Sequence, residues 1–219
     1  MGYGVRVEVW GDYALFTRPE MKTERVSYDV MTASAARGIL ESIYWHPGLK
    51  WVIDRIYVLK EIQFTNIRRN EVKSKLSSRN AHTVMNGAKN ELAMYTSEEI
   101  QQRASLILKD VHYVIEAHFE LTDQAGERDS REKFYAIASR RLRNGQCYSQ
   151  PYFGCREFPV QFRLCEAEDI ETAYSNEERD LGFVLYDMDY SNLQDIQPMF
   201  VRTVMKNGVI DFSDCEVFR

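Results

Sequence analysis

The chain lacks the patterns that mark several protein classes. Its four cysteines, Cys147, Cys155, Cys165 and Cys215, include no C-x-x-C pair. That argues against a disulfide frame or a zinc site and for reduced thiols in a cytoplasm. No apolar run approaches the roughly 18 residues needed to span a membrane. The opening residues, MGYGVRVEVW, hold no basic segment followed by an apolar one, so no signal peptide is expected. Arg6 stands where a myristoylation signal has Ser or Thr. There is no glycine-rich phosphate loop, no G-x-S-x-G and no H-E-x-x-H. Neither repeats nor low-complexity tracts are seen.

What is present is an uneven charge. The 219 residues carry a net charge of −5 and suffice for one large domain or two small ones. From Glu166 to Arg219 there are 13 acids and 4 bases, whereas the first 165 residues hold 20 acids and 24 bases. Arg68 to Lys89 contains six bases and one acid. Such a split fits a basic face for an anionic partner, with an acidic end turned to water or another protein. A solvated, highly charged loop fits the basic segment equally well.

Hydrophobic spacing orders the chain. GVRVEVW at 4–10 alternates valines with polar residues and predicts a half-buried strand. Thr32 is a helix cap, and Ala36, Ile39, Leu40 and Ile43 follow at helical spacing until Pro47-Gly48. Residues 51–59 are β-branched and aromatic, as a strand requires. Phe64 to Glu99 is polar, basic and without apolar period, which reads as a long functional or disordered loop. Val111, Tyr113, Ile115, Ala117, Phe119 and Leu121 then face one way along a strand. Asp129 and Glu132 form a capping box for a helix ending near Asn144-Gly145. Cys155 to Leu164 is a further strand, with Pro159 at an edge or bulge.

The order β, α, β, insert, β, α, β predicts an α+β, ferredoxin-like (RRM-like) domain over 1–165, with a basic insert at about 64–100. Two helices would cover one sheet face and leave the other free, the face that RNA-recognition modules use. Residues 166–219 form an acidic β-rich extension, with strands at 182–187 and 199–205 and a hairpin turn at Asn207-Gly208.

Gly11 to Trp45 packs an aromatic strand end, a basic loop (Arg18, Lys22, Arg25) and a helix ending in Tyr44-Trp45. Lys133 falls in the first turn of the second helix, where backbone N–H groups favour an anion. It is either a phosphate contact or an exposed lysine screened by Asp129 and Glu132. In a ferredoxin-like fold Tyr44 and Lys133 would meet at one rim, and a nearby ammonium would favour phenolate. Tyr44 is otherwise one interfacial tyrosine among 13. His46 is a proton donor or a loop residue. His112, Glu116 and His118 share one strand face, which invites a metal reading, but with alternate positions about 7 Å apart His112 and Glu116 are too distant to share an ion. No metal and no cofactor are expected.

Five segments carry a resemblance: GDYALFTRPEMKTERVSYDV, SAARGILESIYW, KDVHYVIEAHFELT, GCREF at 154–158 and VMKNGVI at 204–210. They are similar to the CRISPR-associated repeat-processing subunit of type I-C systems, a member of the Cas "five" family. The resemblance implies a long β-hairpin arm on the ferredoxin-like domain and an antiparallel C-terminal β extension. It implies a metal-independent endoribonuclease that cuts precursor CRISPR RNA at the 3′ base of the repeat hairpin. The subunit would stay on the 5′ handle beside the other subunits of the surveillance complex. The family's catalytic group is a Tyr ending the first helix and a Lys-His pair opening the second. Tyr44 and Lys133 match; Phe134 stands where the family usually has His. His46 would then replace the missing imidazole, and Phe134→His is expected to raise a single-turnover rate. A binding subunit without cleavage is the alternative. RNA would be held by Arg18, Lys22, Arg25, Arg68, Arg69, Lys73, Arg140, Arg141 and Arg156, and such phosphate contacts also permit non-specific double-stranded DNA binding.

Overall fold

The computed structural model describes residues 3–21, 23–89 and 91–219. Strand β1 (Gly4–Ala14) buries Val5, Val7 and Val9 and turns Arg6, Glu8 and Trp10 the other way. The period of two likewise sends Trp51 and Ile53 of β3 (Leu49–Val58) inward, and a register shift between Ile53 and Arg55 brings Ile56 and Val58 back to the same face. β5 (Ile100–Leu121) adds Val111, Tyr113, Ile115, Ala117 and Phe119 to the same core. Leu121, expected to face inward too, is exposed at the strand's end.

Helix α1 (Ala33–Ile43) starts as the sequence predicts, with Thr32 Oγ1 accepting from the Ala35 N–H at 3.1 Å. Its buried stripe is Ala36, Ile39, Leu40 and Ile43. Helix α4 (Arg131–Arg143) starts one residue later than expected. Its cap is Ser130, which accepts from the Lys133 N–H, rather than Asp129. Asp129 instead accepts from the Gly126 N–H and pairs with the Lys133 ammonium. Phe134, Ala138 and Leu142 form the buried stripe of α4.

The sheet runs β3-β5-β1-β6, where β6 is Gln161–Leu164, and every pairing in that run is antiparallel. α1 lies on β3, α4 lies on β1 and β5, and the two helices touch. Trp51 against Phe119 (5.3 Å) and Phe119 against Phe134 (6.3 Å), both edge-on, join sheet to helix. The strand predicted over 155–164 shrinks to β6, because 154–158 is a tight turn closed by the Tyr152–Pro159 bridge. Gly154 takes φ 79°, and a side chain there would collide with the Leu15 carbonyl.

The stretch Phe64–Glu99, a loop by its pattern, is the β-hairpin arm that the resemblance implies. β4 (Phe64–Val72) pairs antiparallel with the first half of β5, from Phe64–Leu108 to Val72–Ile100. α2 (Ser78–Met85) and α3 (Thr96–Glu99) lie between those strands in the chain. No residue of β4 is fully buried, so no apolar alternation marks it. β2 (Arg25–Val26) adds a short parallel pairing at Ser105–Leu106. Asp110, at φ 52°, marks the left-handed kink between the arm half and the core half of β5.

The C-terminal strands β7 (Glu178–Asp189), β8 (Gln197–Lys206), β9 (Val209–Asp211) and β10 (Val217–Phe218) extend the same sheet, with β9 pairing β3. The predicted turn is present: Asn207 and Gly208 both have positive φ, 52° and 73°. Val184, Val201, Met205 and Ile210 join the core.

The sheet face away from the helices is not a bare platform. Glu8 accepts from Arg163 (2.6 Å) and pairs with His112 (2.8 Å). Glu116 accepts from Arg6 (3.0 Å) and from the Tyr57 hydroxyl (2.9 Å), and His118 pairs with Asp54 (2.8 Å). Ion pairing rather than open stacking surface occupies the middle of this face. No helix among the described residues is long and apolar enough to cross a membrane.

Candidate active site and nucleic-acid interface

α1 ends at Ile43 because Tyr44 turns extended, φ −148° and ψ 115°, while its N–H still bonds the Leu40 carbonyl. The Trp51 indole N–H donates to the Tyr44 carbonyl at 2.9 Å. Arg141 donates to the Ile43 carbonyl at 2.6 Å, placing a cation at the helix C-terminus, where the dipole favours it. Both sides of Tyr44 are therefore pinned. Its ring lies between Phe134 (6.2 Å) and the Arg141 guanidinium (5.1 Å) and is 6% exposed.

Lys133 opens α4 from the facing side. Its ammonium donates to Asp129 Oδ1 at 2.7 Å and lies 6.0 Å from the Phe134 ring centroid. Lys133 holds the Asp129 carboxyl below the usual range, helped by the Gly126 N–H. His46 packs on Phe134 at 5.0 Å, and its Nδ1 lies 3.9 Å from Asp129 Oδ2. Nδ1 accepts from the Gly48 N–H at 3.1 Å, which puts the proton of the neutral ring on Nε2. Phe134 is thus the shared floor beneath Tyr44, His46 and Lys133.

Three expectations change. Burial pushes the Tyr44 phenol up, against the downward pull of Lys133 and Arg141, so it is neutral at neutral pH rather than phenolate. Phe134 is fully buried, so an imidazole at that position would point into the core instead of toward a substrate. Glu132, expected to screen Lys133, accepts from the Tyr3 hydroxyl instead.

The other predicted contacts divide. Arg141 stands at Tyr44, and Arg140 is exposed on α4. Arg25 and Arg69 come together at the arm's base. Arg25 lies 3.6 Å from Glu71, and Arg69 pairs with Glu157. The register sets Arg69 opposite Arg103, a residue the sequence did not single out, since only the pairing of β4 with β5 reveals it. Arg103 shares Glu71 at 3.7 Å. Three buried donors there, Arg69 Nε, Arg69 Nη2 and Arg103 Nε, make no hydrogen bond among the described residues. Arg18 pairs with Asp29 and stacks on Tyr28, and Lys73 lies 3.8 Å from Glu99. Arg68 and Arg156 are exposed. Lys22 lies outside the described residues. Among the described residues no three His, Cys, Asp or Glu side chains are grouped to hold a metal ion.

A family model described as CRISPR-associated protein (Cas_Cas5), Cas5d type, matches residues 4–213. The chain belongs to the Cas5d family. It is 48% identical over 217 residues to the CRISPR pre-crRNA endoribonuclease Cas5d of Mannheimia succiniciproducens, covering 96% of this chain and 95% of that one. It is 40% identical over 186 residues to the CRISPR pre-crRNA endoribonuclease Cas5d of Thermus thermophilus, covering 85% and 73%. Among solved structures it is similar to a CRISPR-associated protein at TM-score 0.70 and 26% identity, covering 99% of this chain and 96% of that one. Membership in Cas5d accounts for the five sequence segments quoted above, all of which lie within the matched span.

Proposed function

We propose that this Cas5d-family chain cuts precursor CRISPR RNA at the base of the repeat hairpin, without a metal ion, and stays on the 5′ handle within a type I-C surveillance complex. The observation that carries the reading is the convergence of Tyr44, Lys133 and His46 on one aromatic floor beside Arg141. The endoribonuclease names of the two Cas5d relatives support it. A ferredoxin-like reading of residues 4–164 is supported by the order β3-β5-β1-β6 with both helices in contact. Residues 166–219 serve as the acidic extension, turned to water or to another protein.

In this mechanism a ribose 2′-oxygen attacks the adjacent phosphorus and the P–O5′ bond breaks. The products are a 2′,3′-cyclic phosphate and a 5′-hydroxyl. The neutral Tyr44 phenol orients the 2′-OH, whose proton passes to solvent. The Lys133 ammonium leaves Asp129 for the phosphate and neutralises the charge that grows on it. When the His46 ring takes up a proton, its Nδ1–H exchanges the Gly48 N–H for Asp129, and Nε2 donates its proton to the leaving O5′. Arg25, Arg69 and Arg103 hold phosphates at the arm's base, where unpartnered N–H groups await an acceptor. The same cations would take double-stranded DNA non-specifically, but only RNA offers the nucleophile.

Repeat RNA incubated with the protein in EDTA tests the proposal, and discrete cyclic-phosphate ends are expected. Replacing O5′ at the cut by sulfur, a leaving group that needs no proton, should restore the His46→Gln variant to the wild-type rate. The buried Phe134 favours a second reading, a crRNA-binding scaffold that has lost cleavage. Tight repeat binding with intact RNA after long incubation would establish it.

A further inference from the structure

A groove of about 670 Å³ opens beside the candidate site, between the end of α1 and the segment following α4. Trp45, Tyr148 and Tyr152 line it, and they are 58%, 85% and 38% exposed. Three large rings turned to water in one groove are not explained by the core. None of them pairs with another aromatic ring among the described residues. Their backbone is nonetheless fixed. The N–H groups of Tyr148 and Ser149 both donate to the Ser42 carbonyl, at 2.9 and 3.1 Å, clamping this segment onto the last turn of α1. Arg141 also lines the groove, and the same guanidinium lies over the Tyr44 ring. The one acid in the lining, Glu41, is neutralised by Arg37 at 2.7 Å.

Gly38 supplies a second, independent observation. It lies in the middle of α1, where glycine weakens a helix relative to alanine. Apart from the backbone of its own helix and its chain neighbours, no described atom lies within 4 Å of the place a Cβ would occupy, so close packing does not require the glycine. What the missing side chain preserves is the open space of the groove.

We propose that this groove is a nucleobase-stacking subsite. It takes one unpaired nucleotide next to the cleaved linkage, with its base on Trp45 or Tyr148 and its phosphate toward Arg141. The inference rests on the endoribonuclease reading and extends it to substrate positioning. Chain continuity carries the assignment, because Trp45 follows Tyr44 directly and Arg141 touches both places. Stacking on aromatic rings tolerates every base, so the subsite adds affinity and register rather than sequence choice.

The test uses the full chain and repeat RNA whose nucleotide on either side of the cut is, in turn, made abasic. Loss of one stacked base weakens binding about fivefold to a hundredfold. Trp45→Ala should raise KM by that factor with kcat little changed, and Trp45→Phe should restore it. The abasic substitution should weaken the wild type equally and add nothing in Trp45→Ala. Trp51 is buried and Trp10 lies under Arg163, so quenching of fluorescence by 2′-deoxy-blocked repeat RNA should vanish in Trp45→Phe. Gly38→Leu should fill the groove and raise KM while raising the melting point by about 2–4 °C. An unchanged KM in Trp45→Ala and Gly38→Leu, with the wild type cutting normally, overturns the subsite and leaves the nuclease. Absence of Trp45 quenching by RNA also overturns it and assigns the groove to a protein partner. Quenching without any cutting by the wild type overturns the nuclease and leaves the groove as a binding site.

Discussion

Tyr44→Phe removes one oxygen and leaves the ring between Phe134 and Arg141. No described residue hydrogen-bonds that hydroxyl, so nothing is orphaned by its loss. Stability should therefore stay within about 0.5 kcal/mol of wild type. Cleavage should fall at least tenfold, which corresponds to about 1.4 kcal/mol of transition-state stabilisation. RNA affinity should hold, because the proposed phosphate contacts are cations elsewhere. The pH dependence follows from the direction of the Tyr44 shift. A phenol raised above its usual value near 10 stays protonated between pH 6 and 9, so no rise in rate across that window belongs to its ionisation. Wild type and Tyr44→Phe should give parallel pH profiles, offset by a constant factor. Single-turnover cleavage of repeat RNA, run beside thermal unfolding and filter binding, measures all three. A wild-type rate removes Tyr44 from the chemistry. A rise with pH that disappears in Tyr44→Phe shows that phenolate is the base and that the burial argument is wrong.

Lys133→Ala should lower the cleavage rate at least tenfold with repeat affinity kept; equal losses in rate and affinity would make it a binding residue. Arg68→Ala should reduce the slope of log affinity against log salt by about 1, whereas an unchanged slope would place this exposed side chain off the RNA. Glu8 is held below the usual carboxylate range chiefly by Arg163, and against that by burial, so its stabilisation is present above the unfolded value near 4.3 and is lost as pH falls through the folded one. Glu8→Gln should cost about 1.5–3 kcal/mol at pH 7 and little at the acid end, and a pH-independent loss in denaturant titrations would contradict this. Phe134→His should lose at least about 2 kcal/mol without raising the single-turnover rate. A faster enzyme of unchanged stability would mean that the side chain at 134 reaches the substrate.

The two helices and the core strands were legible because each is written in short-range spacing. Ala36, Ile39, Leu40 and Ile43 repeat every three or four residues, and Val111 to Phe119 every two. The Asn207-Gly208 turn was legible because positive φ at both positions suits Asn and Gly. The arm was legible only through the family resemblance, because no residue of β4 is fully buried and no apolar stripe marks it. Asp129 was misread as a cap since an acid three residues before Glu132 has the same pattern whether it caps the helix or pairs with Lys133. The chemistry of Tyr44 was misjudged for a related reason. The neighbouring cations could be anticipated from helix packing, but the depth of burial that outweighs them could not.

By itself the sequence determined the helices α1 and α4 and the core strands, which face of each is apolar, and the family to which they belong. Those properties reside in neighbours a few residues apart. The tertiary structure alone decided that Phe134 is the floor shared by Tyr44, His46 and Lys133, that Arg69 meets Arg103, and that the Tyr44 phenol stays protonated. Proximity between distant residues and loss of hydration arise only when the helices close on the sheet, so no local pattern encodes them.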